Sequence, residues 1–158
     1  TTGTTAETFS PYDNITRGQF AAMIARALEL TPTSKKNNLA DTKGKWYADD
    51  AQALFDAGII KGFSDGTFGG EQKLTRQQAA TMITNMLKYA GVDTKVTDEV
   101  EFNDIDKVSK SAQDAVRFLA SHDVLVSGEG VNFNPSNNIT RAQMSKLLIR
   151  SLHLTDLY

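Results

Sequence analysis

The sequence predicts an all-α fold built from three tandem helix-loop-helix repeats with short extended segments between the helices. Three observations lead to this prediction: one motif occurs three times, each copy opens an amphipathic helical pattern, and two further helical patterns precede the later copies. The chain has 158 residues, of which 40% are hydrophobic and 23% are charged, so its composition is that of a folded domain with a substantial core.

The repeated motif is a phenylalanine, five further residues, an isoleucine or leucine, and then Thr-Arg. It occupies positions 9–17, 68–76 and 133–141, and its arginines lie 59 and 65 residues apart. Because the internal spacing is the same in all three copies, the motif indicates an internal repeat.

A capped amphipathic helix is predicted after each motif. Apolar residues recur there at spacings of three and four, which gives each helix one apolar stripe. They are Phe20, Met23, Ile24, Ala27 and Leu28 in the first copy, Ala79, Met82, Ile83, Met86 and Leu87 in the second, and Met144, Leu147, Leu148 and Leu152 in the third. The motif threonine and the glutamine three residues later fit a capping box, so the helices are expected to begin after Thr16, Thr75 and Thr140.

A second helix is predicted before the loop of each later repeat, at 47–57 and 109–121. The loops that follow these helices have equal length and combine glycines with short apolar runs, which predicts a brief extended segment and a tight turn in each. The polar stretches 31–38 and 91–99 are interpreted as connectors between repeats.

These patterns assign 1–158 to one module, with repeat 1 at 1–30, repeat 2 at 39–90 and repeat 3 at 100–154. Repeat 1 holds only the second half of the unit. Asp41 precedes Arg76 by 35 residues, and the corresponding position for Arg17 falls 18 residues before Thr1. We expect the leading helix of repeat 1 to be absent from this chain and 1–8 to be a loose remnant.

Composition excludes several classes of function. Seventeen basic and nineteen acidic residues give a net charge of -2, so neither nucleic acid nor an anionic membrane is an expected partner, and no apolar run is long enough to insert into a membrane. Cysteine is absent, and His122 and His153 fit no triad or zinc pattern. Asp104-Ile-Asp106 begins like a calcium loop but lacks its glycine and glutamate. We therefore predict no catalytic residue, no metal and no cofactor.

The motif arginines, Arg17, Arg76 and Arg141, occupy the first position of the predicted helices, where the helix dipole disfavours a cation. One interpretation is anion binding, in which a guanidinium beside free helix N–H groups holds a carboxylate or phosphate. The other is an internal salt bridge to a nearby aspartate.

Two other residue types fit a sugar site. Trp46, the only tryptophan, lies in a polar stretch just before a helix, where an exposed indole could stack on a sugar ring or a partly buried one could anchor the helix. Asp41 and Asp104 could accept hydrogen bonds from sugar hydroxyls or cap the next backbone segment.

These residues resemble a known family. Ile15-Thr-Arg-Gly-Gln, Leu74-Thr-Arg-Gln-Gln and Ile139-Thr-Arg-Ala-Gln are similar to the Ile-Thr-Arg-Ala-Glu signature of S-layer homology domains. Leu39-Ala-Asp41, Trp46, Gly58-Ile-Ile-Lys-Gly62 and Asp65-Gly-Thr-Phe68 resemble, in order, that family's other elements. The resemblance covers nearly the whole chain.

The resemblance implies a pseudo-threefold trefoil or spindle that holds secreted proteins on Gram-positive cell walls by binding the secondary cell wall polysaccharide, commonly at a pyruvylated N-acetylmannosamine. It implies inter-repeat grooves that pair Arg17 with Asp41 and Trp46, and Arg76 with Asp104, and it leaves Arg141 beside an incomplete groove. Further S-layer subunits are a possible second class of partner.

The sequence also departs from the family pattern. Glutamine replaces the motif glutamate in all three copies, Gly69-Gly70 replaces a Phe-x-Pro ending, and Asp123 replaces the first glycine of the third repeat. Ser109 or Ser111 stands in the tryptophan position, which predicts weaker stacking beside Arg76.

Three functions compete at this stage. The leading one is a non-catalytic carbohydrate-binding anchor located at the cell wall or S-layer surface. The second is a protein–protein assembly module without carbohydrate binding. The third, an enzyme with an unrecognised carboxylate site, has no supporting feature in the sequence.

Overall fold

The computed structural model describes residues 12–33, 38–96, 102–125, 128 and 130–155. These residues form five α-helices and one 3-10 turn, without a β-strand, which confirms the predicted all-α class. The helices are α1 (Arg17–Ala27), α2 (Ala48–Asp56), α3 (Arg76–Tyr89), α4 (Lys110–Ser121) and α5 (Arg141–Leu152), and the 3-10 turn is Ile105–Lys107. Phe9, the stretch 1–8 and parts of both connectors lie outside the described residues. None of the helices found in these ranges has the length and apolarity to cross a membrane.

The three capped helices begin where the sequence predicts them. In α1 the hydroxyl of Thr16 accepts a hydrogen bond from the backbone N–H of Gln19 at 3.1 Å, and the side chain of Gln19 accepts one from the backbone N–H of Thr16 at 3.0 Å. Both halves of the capping box are also present in α3 and α5. Glutamine therefore performs the capping that the family's glutamate would perform, without its charge.

The three motifs are hydrogen-bonded to one another in a closed ring. Leu74 N–H donates to Ile15 C=O at 2.9 Å, Ile139 N–H to Leu74 C=O at 2.9 Å, and Ile15 N–H to Ile139 C=O at 3.2 Å. All three side chains are buried. Isolated antiparallel bridges join each motif to the next. The ring relates the repeats by an approximate threefold axis, as the resemblance implies.

The leading helix of each later repeat packs on the capped helix of the preceding repeat: α2 on α1, and α4 on α3. The ring of Tyr47, at the start of α2, fills the space between two glycines. A Cβ on Gly18 would lie 2.6 Å from the ring, and a Cβ on Gly70 would lie 2.3 Å from it. Glycine is therefore required at both positions for α2 to approach α1 this closely.

The loop after α2 contains the predicted tight turn, and the described parts of both loops contain no strand. In the first loop Phe63 N–H donates to Thr67 C=O at 2.7 Å, and Asp65 accepts from Thr67 N–H at 3.0 Å. An extended segment becomes a β-strand only when it pairs with a neighbouring strand. In the described residues such pairing is limited to the single bridges at the motifs, so the loop segments do not form strands.

Candidate functional site

Two of the motif arginines reach across to the next repeat with the same geometry. Arg17 Nε donates to the carbonyl of Phe68 at 2.9 Å, and Arg76 Nε donates to the carbonyl of Phe133 at 2.7 Å. Each guanidinium also stacks on an aromatic ring, at 5.0 Å from the Phe68 centroid and 5.1 Å from the Phe133 centroid. Phe63 covers Arg17 as well, at 4.9 Å. These contacts fix the orientation of each guanidinium.

Asp41 and Asp104 hold the loop that carries this carbonyl. The two carboxylate oxygens of Asp41 accept from the N–H groups of Phe68 and Gly69 at 2.7 and 2.8 Å. Asp104 does the same with Phe133 and Asn134 at 2.8 and 2.9 Å. Burial by itself raises the pKa of each carboxyl, but the backbone hydrogen bonds outweigh it and hold the pKa below its ordinary value. The geometry thus supports the capping interpretation of both aspartates.

Each aspartate also acts on its arginine through its charge. Burial lowers the pKa of Arg17 and of Arg76, and the negative charges of Asp41 and Asp104 respectively oppose that effect. The carboxylate oxygens nevertheless point to backbone N–H groups, and no direct ion pair joins either arginine to its aspartate within the described residues. For Arg17 and Arg76, the aspartate considered from the sequence as a salt-bridge partner therefore acts through its nearby charge and not through a direct contact.

The expectation of free helix N–H groups beside the arginines is wrong. In α1 the N–H groups of Arg17 and Gly18 donate to the carbonyls of Gln72 and Gly70, both at 2.9 Å, and Gln19 N–H is bound by the capping threonine. The first two N–H groups of α3 donate in the same way to the loop of the third repeat. Closing the ring uses these donors, so an anion would have to be bound by the arginine side chain itself.

Within the described part of the chain, two grooves between repeats have a motif arginine in their walls. The Arg17 groove has a volume of about 580 Å³, and the Arg76 groove has a volume of about 270 Å³. The Arg17 groove is lined by Arg17, Gly58, Ile59, Ile60, Lys61, Gly62, Phe63, Gln77, Gln78, Thr81, Met82, Asn85, Ser109, Ser111 and Ala112. The Arg76 groove is lined by Arg76, Phe102, Val124, Leu125, Val131, Asn132, Phe133, Ile139, Gln143, Lys146, Leu147 and Arg150.

Trp46 does not line the Arg17 groove, beside which the resemblance places it. Ser109 and Ser111, which the sequence placed beside Arg76, line the Arg17 groove, and Trp46 lines neither groove. The reason is which helix each leading helix covers. The start of α4 packs on α3, which forms a wall of the Arg17 groove, whereas α2 packs on α1. The indole is 62% exposed and rests edge-on against the buried ring of Tyr47 at 5.4 Å. The exposed interpretation of Trp46 therefore holds, and Tyr47 is the residue that anchors the helix.

Tyr47 is in turn held by a polar network at the surface. Its hydroxyl donates to Glu71 at 3.1 Å, and Glu71 also forms an ion pair with Lys45 at 3.1 Å. Burial and the hydrogen bond to Glu71 raise the pKa of Tyr47 to about 12. The network keeps the start of α2, and with it the exposed Trp46, in one position.

Arg141 occupies the motif position in the third repeat but lines neither described groove. Its side chain is 4% exposed, and its backbone N–H donates to the carbonyl of Asp13 at 2.9 Å. Arg141 is thus part of the ring. Among the described residues, no cluster of histidine, aspartate or glutamate has the geometry of a metal site.

The sequence analysis missed the helical walls of both grooves. In α3 these are Gln77, Gln78, Thr81, Met82 and Asn85, and in α5 they are Gln143, Lys146, Leu147 and Arg150. Apart from Gln77, they lie at the same distances after the motif arginine that begins each helix, at spacings of three and four. That shared face is a signal in the sequence, but it does not reveal which loop covers it.

Comparisons with known proteins agree with this architecture. The family model for the S-layer homology domain matches residues 38–80 and 101–145, together more than half of the chain. An endoglucanase of Bacillus sp. (strain KSM-635) is 36% identical over 148 residues, which are 93% of this chain and 16% of that protein. The surface-layer 125 kDa protein of Lysinibacillus sphaericus is 29% identical over 85% of this chain and 11% of its own length. The cellulosome-anchoring protein of Acetivibrio thermocellus is 27% identical over 91% of this chain and 33% of its own length. The chain therefore spans a third or less of each of these relatives.

Proposed function

The chain belongs to the S-layer homology domain family of cell-wall anchoring modules, and from that premise we propose that it binds an acidic secondary cell wall polysaccharide in its inter-repeat grooves. In this way it attaches a larger, secreted protein to the cell surface without a covalent bond. The expected binding unit is a pyruvylated N-acetylmannosamine.

The observation that carries this proposal is the half-used guanidinium of Arg17. Its Nε is bound to Phe68, its side chain lies in the groove wall, and its two terminal nitrogens donate to no residue of the described chain. A buried cation is costly unless it is paired and hydrogen-bonded. A ligand carboxylate could accept two parallel hydrogen bonds from these nitrogens, which is the strongest arrangement available to arginine.

The rest of the Arg17 groove suits the body of a sugar. Amide and hydroxyl side chains from α3 and the start of α4 supply both donors and acceptors for ring hydroxyls and an acetamido group. Phe63, which is 37% exposed, supplies apolar surface for a ring face. We therefore place the Arg17 groove first among the proposed sites and the Arg76 groove second, with Asp41 and Asp104 as positioning residues and Arg141 third.

Trp46 defines a separate proposed contact beside the start of α1. An exposed indole that is held in place by a buried neighbour loses little conformational entropy when a sugar stacks on it. We propose that Trp46 binds a different sugar unit of the same polymer from the one beside Arg17.

No step of this function needs catalysis or a cofactor. The endoglucanase relative shares only 16% of its length with this chain. We propose that its catalytic activity lies outside the shared part and that the shared part serves attachment, as the name of the cellulosome-anchoring protein indicates for that relative.

The test is co-sedimentation of the chain with Gram-positive cell walls that retain their secondary polymer, lack it, or lack its pyruvyl groups. The key variant is Arg17→Gln, and the matched control is Arg26→Gln, an exposed arginine of the same helix that lines neither groove. We expect Arg17→Gln to lower wall affinity about tenfold or more, since it removes a charge-assisted bidentate contact. We expect Arg26→Gln to bind like the unaltered chain.

Equal binding to walls without the polymer would contradict the proposal. Concentration-dependent self-association in light scattering, with no dependence on the polymer, would instead support the assembly module. Thermal unfolding of each variant distinguishes a lost ligand contact from a lost fold.

A further inference from the structure

The two grooves have the same architecture but different charge. The helical wall of the Arg17 groove is α3, and that of the Arg76 groove is α5. Five residues after the motif arginine that begins each helix, α3 has Thr81 and α5 has Lys146. Nine residues after that arginine, α3 has Asn85 and α5 has Arg150. The helical wall of the Arg17 groove is therefore neutral, and the cation that lines this groove besides Arg17 is the exposed Lys61 of the loop. The helical wall of the Arg76 groove carries two cations.

The two cations lie on one face of α5. Lys146 and Arg150 are four residues apart, which places them about one turn, or roughly 6 Å, apart along the helix axis. Like charges at this spacing repel each other. Neither side chain forms a hydrogen bond or ion pair with another described residue. In contrast, Asn85 at the equivalent position of α3 is engaged, because its side chain donates to the carbonyl of Ile59 at 3.1 Å.

Nothing acidic among the described lining residues balances these charges. The nearest counter-charge to Arg76 is Asp104, and both of its oxygens already accept backbone N–H groups of the loop. The Arg76 groove thus presents three cations, which are Arg76 on one wall and Lys146 and Arg150 on α5. Such a groove concentrates positive potential and favours a ligand with more than one negative charge.

We propose that the Arg76 groove selects a glycan segment with two anionic groups, a preference that the neutral helical wall of the Arg17 groove does not provide. This inference rests on the proposed function. The first anion binds the guanidinium of Arg76, and the second binds between Lys146 and Arg150. The second anion is a carboxylate or a phosphate on the sugar next to the first one. Lys146 and Arg150 are then the residues that determine this specificity.

The test is isothermal titration calorimetry of the whole chain with three synthetic disaccharides. Each contains pyruvylated N-acetylmannosamine, joined to N-acetylglucosamine, to glucuronic acid, or to phosphorylated N-acetylglucosamine. The first carries one charge, and the other two carry a second charge from different chemical sources. The variants are Lys146→Gln, Arg150→Gln and the double variant. Lys88→Gln, an exposed helical lysine that lines neither groove, is the control.

We expect at least one of the doubly charged disaccharides to bind more tightly than the singly charged one. Each single variant should lose about two- to fivefold of that preference, the range for a solvent-exposed ion pair, and the double variant should lose all of it. Affinity for the singly charged disaccharide should stay within about twofold in all these variants. The preference should also weaken as salt is raised, because exposed charges are screened.

The reverse exchange provides an independent test. Thr81→Lys places a cation in the Arg17 groove at the position of Lys146, and it should increase affinity for the doubly charged disaccharides. Equal affinity of the unaltered chain for all three disaccharides would overturn the inference, as would a preference that survives in the double variant. Absence of binding by all three would overturn the proposed function together with it.

Discussion

The central ring and the grooves around it follow different rules of repetition. In the ring, three motifs make equivalent backbone hydrogen bonds of 2.9, 2.9 and 3.2 Å, and all three helix starts have the same capping box. In the grooves, equivalent positions differ in charge, as Thr81 and Lys146 do. The repeats are therefore alike where they bind one another and unlike where they face the solvent.

The difference has a physical cause. Each motif donates to one neighbour and accepts from the other, so a defect in one copy leaves unpaired polar groups in a buried place. Groove side chains such as Thr81 and Lys146 take no part in the ring and can change without that cost. The comparison teaches that the ring carries stability and the grooves carry specificity, and the substitutions below test this division.

The largest expected effect is on the ring. Leu74→Ala removes a fully buried side chain beside the ring hydrogen bonds and should lower the free energy of unfolding by about 3 kcal/mol. The measurement is urea denaturation followed by circular dichroism. The matched groove variant, Thr81→Ala, removes a half-buried side chain of the adjacent helix and should change stability by less than about 0.5 kcal/mol. Equal costs for the two variants would contradict the division between ring and grooves.

The second effect concerns Asp41 and Asp104, which hold the loops whose carbonyls bind the motif arginines. Asp104 is 7% exposed and accepts two backbone N–H groups, so Asp104→Asn replaces one acceptor by a donor and should cost about 2 kcal/mol. Asp41 makes the same pair of bonds at a more exposed place, and its asparagine variant should cost less. The exposed Asp106→Asn is the control and should be near neutral.

The same aspartates predict how stability depends on pH. Because the folded state lowers the pKa of Asp104, its stabilising contribution is complete above the unfolded value of about 3.9 and is lost as the pH falls towards the folded value. Unfolding free energy measured between neutral pH and about pH 3 should therefore decline at the acid end. The decline should be shallower in Asp104→Asn, and an unchanged slope would contradict this assignment.

How far the sequence predicts the structure also differs between ring and groove. The helix starts are predictable because the capping box is local, with donor and acceptor three residues apart at Thr16 and Gln19. The use of the helix N–H groups is not, since Arg17 N–H finds its partner at Gln72 in another repeat. The groove that receives Ser111 depends in the same way on which helix α4 covers. The sequence thus identifies the residue types of the site but not their assembly.

The smallest expected effect concerns a place where the loops of repeats 2 and 3 differ. Gly58 and Asp123 occupy equivalent positions after α2 and α4, and both have a positive φ, 77° and 59° respectively. No atom lies within 4 Å of a Cβ added to Gly58, so Gly58→Ala isolates the backbone strain and should cost about 1 kcal/mol.

Asp123→Gly should do the opposite and raise the free energy of unfolding by about 0.5 kcal/mol, because aspartate tolerates a left-handed backbone less well than glycine. Both variants are measured by thermal and urea denaturation, and Asp106→Asn is the control. Asp114→Gly is not a suitable control, because Asp114 lies in α4 and glycine destabilises a helix. A loss of stability in Asp123→Gly would mean that the aspartate side chain contributes more than its backbone strain costs. If instead the two variants shift stability in opposite directions and leave wall binding unchanged, the loop corner belongs with the ring as a determinant of stability, and the choice of ligand rests with the helical walls.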